Sequence, residues 1–307
     1  MFSKMKPKSK TALTLFLFSL PFLLLVFAFS YVPLFGWVYA FFDYKPGLSL
    51  SQCEFVGWKH FISLVQNPVL VDEMLRVLKN TFGISLLTII TTPLPAIFAI
   101  MIHQCSAKRY KKVVQTLTTL PNFISWVLMF SIAWSMFSID DGFINRILLN
   151  MGVIDEAINF MGSGEHVWLS MTGYMIWKTL GWNAIMYLAA ITSIDEELYE
   201  AAKVDGAGRF AMILHITIPG LMSTFFVLLL MQIANFLNNG VDQYYVFQNA
   251  MNKNSIEVLD LYVYNMGIAG SNISPSIAVG MLKSIISIVL LFSANQLSKV
   301  VRGEKIF

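Results

Sequence analysis

Long runs of apolar residues dominate the chain, and six of them are long enough to cross a lipid bilayer. A helical crossing takes about 20 apolar residues, because the hydrocarbon layer is about 30 Å thick. The six runs are Thr11–Val32, Asn80–Ile102, Val113–Phe137, Val167–Ile194, Ile216–Phe236 and Pro275–Leu297. The pattern predicts an all-α membrane protein with six transmembrane helices.

A shorter apolar pattern precedes the second run. Over Trp58–Lys79 the apolar residues recur three and four positions apart, for example at Phe61, Leu64 and Val65. This spacing places them on one face of a helix. We therefore expect amphipathic helices here, lying on the outer membrane surface.

Basic residues are unevenly distributed between the predicted connections. With the N-terminus in the cytoplasm, 13 of the 21 Lys and Arg residues fall in inner segments. Cytoplasmic loops of membrane proteins carry such an excess of Lys and Arg. We therefore expect both termini in the cytoplasm, a basic segment at 1–10, a transmembrane domain at 11–298 and a C-terminal tail at 299–307.

Composition excludes most other classes of protein. The chain is 56% hydrophobic and 13% charged, whereas soluble domains carry about 25% charged residues. It has no Gly-rich phosphate-binding motif, and its two cysteines form neither a metal-binding nor a disulfide pattern. The predicted spans hold no Asp or Glu, the residues that usually bind the coupling ion in secondary carriers.

These absences favour a permease that takes its energy from another chain. The alternative is a channel or secondary carrier for small polar solutes. A membrane enzyme is a further alternative, but it would need paired catalytic residues at the membrane surface. The chain is therefore not expected to be an enzyme.

The connection at 193–219, between the fourth and fifth spans, has a helix pattern of its own. Ser193 and Glu196 fit a capping box, and acidic residues follow in the first turn, where the helix dipole favours them. Gly206 is placed to end the helix. A short acidic helix would thus project into the cytoplasm, where it could fill a groove on another protein.

This connection resembles the signature of permeases from ATP-binding-cassette (ABC) importers. The signature reads E-A-A-x-x-x-G, nine residues, then I-x-L-P, and Ile218 stands here in place of Leu. Val113–Trp126, Gly181–Ala190 and Ala278–Lys299 also resemble the carbohydrate branch, in particular its polysaccharide and aldouronate permeases, with maltose permeases more distant. The matching signature residues are Glu200, Ala201, Ala202, Gly206, Ile216 and Pro219.

The resemblance implies a type I ABC importer permease fold in a bacterial cytoplasmic membrane. It implies a heterodimer with a second homologous permease subunit, two ATP-binding subunits, an extracellular solute-binding protein and a carbohydrate substrate, and no nucleic acid. ATP and Mg would be bound by the ATPase partners, and no cofactor by this chain. The residues expected to contact the ATPase are Glu200, Ala201, Ala202, Asp205 and Gly206.

Polar and aromatic residues in or near the later spans are candidates for the substrate pathway. Sugars are bound by hydrogen-bonding side chains and aromatic faces, and polar groups at membrane depth normally face a protein interior or an aqueous path. The candidates are Asn122, Trp126, Asn183, Tyr187, Gln232, Asn235, Asn238, Asn239 and Asp242. Trp126 also fits a core or interfacial aromatic, and Asn183 and Tyr187 also fit hydrogen bonds to a neighbouring helix.

Two basic residues, Lys178 and Lys283, lie within predicted spans. They could attract an acidic sugar such as a uronide. We favour the other interpretation, in which each lysine extends to a membrane face or makes a structural hydrogen bond.

Overall fold

The computed structural model describes residues 7–302, and these form a helical protein with two compact units. One unit comprises residues 7–67 together with Asn265–Leu282. The other comprises Pro68–Tyr264 and residues 283–302. The predicted terminal segments at 1–10 and 299–307 lie partly outside the described residues.

The first unit begins with a long apolar helix. Helix α1 (Pro7–Val26) continues through a π-helical turn at Phe27–Tyr31 into a 3-10 segment at Val32–Phe41. Its described side chains are largely exposed, as expected of a helix that faces lipid. Helix α2 (Lys59–Gln66) follows. It buries Leu64 on one face and exposes apolar side chains on the other, so it is amphipathic.

The second unit holds the remaining short and long helices, apart from the last. They are α3 (Pro68–Ile90), α4 (Pro93–Gln104), α5 (Lys108–Thr119), α6 (Trp126–Phe137), α7 (Phe143–Asn150), α8 (Val167–Thr192), α9 (Glu196–Val204), α10 (Arg209–Met212), α11 (Ile218–Ala234), α12 (Asp242–Phe247), α13 (Lys253–Ile256) and α14 (Leu259–Tyr264). The last helix, α15 (Ile273–Arg302), begins in the first unit and ends in the second.

Among the described residues, four helical stretches are long and apolar enough to cross a membrane. They correspond to the first, second, fifth and sixth predicted spans. The second begins at Pro68 rather than at Asn80, because α3 joins the predicted amphipathic segment to the apolar run without a break. The four stretches are Ala12–Phe41, Pro68–Gln104, Arg209–Ala234 and Ile273–Gln296.

The third predicted span is sharply bent. Lys108–Phe123 and Trp126–Phe137 meet at 109°, and only together do they qualify as a fifth crossing. The bend follows a 3-10 turn that contains Pro121. Proline lacks the N–H that would continue the α-helical hydrogen bonds, which explains why α5 ends here.

Helix α8, at the fourth predicted span, is long but is not among the stretches apolar enough to cross a membrane by composition. It packs against α3, α4, α5 and α11. One buried cluster surrounds Val167 and Met171 near its start, and a second surrounds Ala184 and Ile191 near its end. Because part of its surface packs against these helices, α8 needs apolar side chains toward lipid only where it is exposed, as at Leu169 and Met186.

Close packing of α8 against α5 depends on Gly181. A Cβ atom at this position would collide with the backbone of Thr118, which a side-chain adjustment cannot relieve. Gly173, on the same helix, has nothing within 4 Å of the corresponding position. Gly181 and Gly173 therefore allow the same substitution to be compared at a tightly packed and at an open position of one helix.

We expect Gly181→Ala to destabilise the protein by about 2 kcal/mol, since overpacking typically costs 1–3 kcal/mol. Thermal unfolding of the detergent-purified chain should show a melting temperature lowered by several degrees. Gly173→Ala, the control, should change the melting temperature little. Equal effects of the two substitutions would contradict the close packing of α8 on α5.

Candidate functional site

Helix α9 begins with a side-chain cap that differs from the one predicted. The Asp195 carboxylate accepts a hydrogen bond of 3.0 Å from the Glu197 backbone N–H, so Asp195 is the N-cap. The predicted Ser193–Glu196 capping box is wrong. The Ser193 hydroxyl instead donates to the Ala190 carbonyl, because Ser193 still belongs to the end of α8.

At its other end α9 is closed by Gly206, as predicted. The Gly206 N–H bonds to the Lys203 carbonyl at 3.1 Å, and the Ala207 N–H bonds to the Ala202 carbonyl at 2.8 Å. This pair of hydrogen bonds is a Schellman motif. It requires a left-handed residue, and Gly206 has φ +77°. Glycine adopts this conformation without strain.

The five residues of the predicted coupling site lie on α9 and its closing turn. Glu200, Ala201, Asp205 and Gly206 are exposed, and Ala202 is half-buried. Large apolar side chains are exposed beside them, with Val204 at 88% and Phe210 at 77%. An exposed apolar surface next to acidic groups is typical of a protein docking site.

One side-chain hydrogen bond joins α9 to the base of α11. The Tyr199 hydroxyl and the Thr217 hydroxyl are 2.9 Å apart. Thr217 is fully buried and ends a π-helical turn, Ile213–Thr217, that leads into α11. A displacement of α9 would therefore pull on the first turn of α11.

A cavity of about 260 Å³ lies among α3, α4, α8 and α11. Four of the predicted pathway residues line it together, although they come from two helices. These four are Asn183, Tyr187, Gln232 and Asn235. Its other polar lining residues were not predicted, and they are Thr88, Thr91, Thr92 and Thr179.

The threonines could have been suspected from the sequence, because Thr91 and Thr92 interrupt an apolar run directly before two prolines. Their hydroxyls are compatible with a span, however, since threonine can bond to its own helix. Sequence alone therefore does not separate a threonine that lines a cavity from one that packs.

Asn122 and Trp126 do not line this cavity. They lie at the bend between α5 and α6, where Lys178 from α8 holds the backbone. The Lys178 ammonium donates to the carbonyls of Pro121 at 3.3 Å, of Asn122 at 3.0 Å and of Ile124. It also lies 5.4 Å from the centre of the Trp126 ring. Lys178 therefore supplies a donor to the Asn122 and Ile124 carbonyls at the break, and a second donor to the Pro121 carbonyl, which also accepts from the Ile124 N–H at 3.1 Å.

The remaining pathway candidates follow α11 and also lie outside the cavity. Asn238 and Asp242 are exposed, and the Asn238 amide donates to the Asn235 oxygen at 3.3 Å. The Asn239 amide donates to the Ser85 hydroxyl at 3.0 Å. Asn239 thus ties the end of this segment to α3.

Lys283 is also paired within the protein. Its ammonium contacts the Asp260 carboxylate, and both side chains are largely buried. The second oxygen of Asp260 accepts a hydrogen bond of 2.9 Å from the Gly240 N–H. Lys283 and Lys178 therefore both have structural partners, as the favoured interpretation predicts.

No group of three or more His, Cys, Asp and Glu side chains within residues 7–302 could hold a metal ion. Both cysteines are free thiols. The polar side chains that line the cavity are neutral hydroxyl and amide groups, and the rest of its lining is apolar.

Comparison with known proteins identifies the family. The family described as "Binding-protein-dependent transport system inner membrane component" matches residues 92–303. Protein LplB of Bacillus subtilis is 37% identical over 95% of this chain and 91% of its own length. A B. subtilis protein named "Polygalacturonan/rhamnogalacturonan transport system permease protein YteP" is 38% identical over 95% and 90%.

A solved structure has the same fold. It is a chain of a bacterial ABC transporter involved in the import of the acidic polysaccharide alginate, with 30% identity and a TM-score of 0.84. The alignment covers 95% of this chain and 97% of that one. The resemblance noted in the sequence is confirmed, and the chain belongs to the inner membrane components of binding-protein-dependent transport systems, which are permeases of the cytoplasmic membrane.

Proposed function

We propose that this chain is one permease subunit of an ATP-driven carbohydrate importer and forms half of its translocation pore. The observation that carries the proposal is the connection between α8 and α11. Both helices line the cavity, and the capped, exposed helix α9 lies between them in the chain. A motor that moves α9 would therefore move two walls of the cavity.

The proposed assembly follows from the family and its relatives. A second homologous permease would complete the pore, two ATP-binding subunits would bind α9 and its counterpart, and a solute-binding protein would deliver the substrate outside the membrane. A carbohydrate substrate is supported by the named substrates of YteP and of the alginate importer. ATP and Mg would be bound by the ATPase subunits.

In the proposed topology the chain crosses the membrane six times with both termini in the cytoplasm. The bent pair α5–α6 would be the third crossing and α8 the fourth. The support is the distribution of Lys and Arg between connections. Helix α8 can cross despite its polar residues because α3, α4, α5 and α11 pack against it and cover part of its surface.

We propose that a movement of α9 couples ATP hydrolysis in the partner subunits to transport through the cavity. Closure of the ATPase dimer would displace α9, and the Tyr199–Thr217 hydrogen bond would transmit this movement to α11. A packed interior responds by switching between arrangements rather than by continuous deformation. The cavity would thereby open alternately to the two sides of the membrane.

We expect Gly206→Val to reduce carbohydrate uptake about tenfold. Valine at φ +77° costs roughly 1–2 kcal/mol, so the Schellman turn would be populated less often. Uptake by vesicles containing the assembled transporter measures the effect. The control is Gly208→Ala two residues further on, at the start of α10, since Gly208 has an ordinary φ of −73° and open space around it. Full uptake by Gly206→Val would contradict a role for this turn in coupling.

We expect Tyr199→Phe to lower the amount of sugar imported per ATP hydrolysed about threefold, with the complex still assembled. The loss of one hydrogen bond weakens the link by about 1 kcal/mol. Thr217→Val should have the same effect, and the double variant should be no worse than either single one. Thr217→Ser should retain coupling. An unchanged ratio of transport to hydrolysis in all four variants would exclude this link.

We expect Asn235→Trp to reduce uptake at least tenfold, because an indole would fill much of the cavity. Asp242→Trp is the control, since Asp242 follows the same segment but is exposed and lies outside the cavity. The measurement is uptake of labelled oligosaccharide, with membrane level and complex assembly checked for each variant. Equal inhibition by the two substitutions would indicate that the cavity is not the pathway.

A further inference from the structure

Helix α5 begins with a run of basic residues. We define its basic surface as the side chains of Lys108, Arg109, Lys111 and Lys112, which all belong to the first turn and a half of the helix. Lys111 is half-buried, and the other three are exposed. Ala107, at the N-cap, offers no side-chain acceptor to the first turn. The N–H groups of that turn therefore add to the positive potential of the four cations.

The positive charge of the basic surface is not neutralised by the rest of the described chain. The sequence holds no Asp or Glu between Glu73 and Asp140. The ion pairs formed among residues 7–302 involve other cations. Glu196 and Glu200 of α9, on the same proposed side of the membrane, form no ion pair with it in this part of the chain. A negatively charged partner from outside the chain would complement this surface.

An exposed apolar stripe starts among these cations. It consists of Tyr110, Val113 and Leu117, which are 63%, 54% and 60% exposed. Their spacing of three and four residues places them on one face of α5. The side of α5 that packs on α8 is a different one, at Thr118, whose backbone lies against Gly181. The stripe is therefore open to contact from outside the chain.

Cations beside an apolar stripe match the two parts of a phospholipid, its phosphate and its acyl chains. In the proposed topology α5 opens the third crossing, so its first turn lies at the cytoplasmic surface of the membrane. Lysine and arginine side chains are long enough to reach the level of the lipid phosphates from there. Polybasic segments in this position attract the anionic lipids of the cytoplasmic leaflet, roughly fivefold more strongly for each added cation.

We propose that the basic surface and the apolar stripe of α5 together bind an anionic phospholipid of the cytoplasmic leaflet. The cations contact the phosphate, and an acyl chain lies along the stripe. The orientation of the chain alone would account for basic residues in the cytoplasm. It requires neither their concentration at the start of one helix nor an exposed apolar stripe beside them. The inference goes beyond the proposed transport function and takes from it only the topology.

The test places a photoreactive residue on the stripe. Benzoylphenylalanine replaces Tyr110 in the complete transporter, which is reconstituted in vesicles of phosphatidylethanolamine with a minor fraction of phosphatidylglycerol. After illumination, mass spectrometry identifies the lipid joined to the residue. We expect phosphatidylglycerol to be enriched about tenfold over its share of the vesicle lipid, because several cations act on one headgroup. The same residue in place of Phe29, which is 78% exposed on the first apolar helix, should report the share in the vesicle.

Removal of the cations should abolish the enrichment. Lys108→Gln, Arg109→Gln and Lys112→Gln, combined in one variant, should return the captured lipid to the vesicle composition. Exchanging lysine and arginine at the same three positions keeps the charge and should keep the enrichment. Raising the salt concentration should weaken the enrichment, since dissolved ions screen the attraction.

A second control removes the same amount of charge elsewhere. Lys45→Gln, Lys59→Gln and Lys253→Gln change three exposed lysines that the proposed topology places outside the cell. This triple variant lowers the net charge as much as the α5 variant does. It should leave the lipid captured at position 110 unchanged, because the attraction depends on where the cations lie.

Three results would overturn the inference. The first is capture of phosphatidylglycerol at position 110 only in proportion to its share. The second is crosslinking from position 110 to another subunit, which would make this face of α5 a protein interface. The third is loss of the enrichment when soluble glycerol phosphate is added, which would indicate a site for small anions. Carbohydrate uptake by the same vesicles tests the proposed function separately, so failure of uptake and failure of lipid capture are distinguishable.

Discussion

The fold depends on the requirement that polar groups at membrane depth find partners inside the protein. Lipid offers no hydrogen bonds, so an unsatisfied carbonyl there costs several kcal/mol. The break between α5 and α6 interrupts the helical hydrogen bonds at membrane depth. Lys178, from the α8 helix around which the second unit packs, donates to the carbonyls of Asn122 and Ile124 there, and also to that of Pro121, which accepts from the Ile124 N–H as well. The bend and the central helix therefore stabilise one another.

In the proposed mechanism, α8 also connects the coupling helix α9 to the cavity. Its last turn leads directly into α9, and residues halfway along it line the cavity. Gly181 lets α5 pack closely against it. In the proposed mechanism, a force on α9 would reach the cavity through both α8 and the Tyr199–Thr217 bond.

Sequence patterns predicted the features that depend on local chemistry. Gly206 was identified as the end of α9 because only a left-handed residue closes that turn, and apolar length located most of the long helices. The capping residue was misplaced by two positions, because Ser193 and Asp195 can both cap and only the end of α8 decides between them. The composition of α8 did not reveal which of its side chains would be buried, since burial depends on which helices pack against it.

For the candidate pathway residues, the sequence does not show which polar side chains face the cavity. Asn183 and Asn122 look alike in an apolar run, but one lines the cavity while the other presents its backbone carbonyl to Lys178. Likewise, a lysine in a span suggests an acidic ligand until its partners are known. Many donors and cations in the spans are already bonded to other groups of the protein. Only the groups that have no such partner can bind a ligand. For this cavity the polar lining is a set of neutral hydroxyl and amide groups in a largely apolar wall.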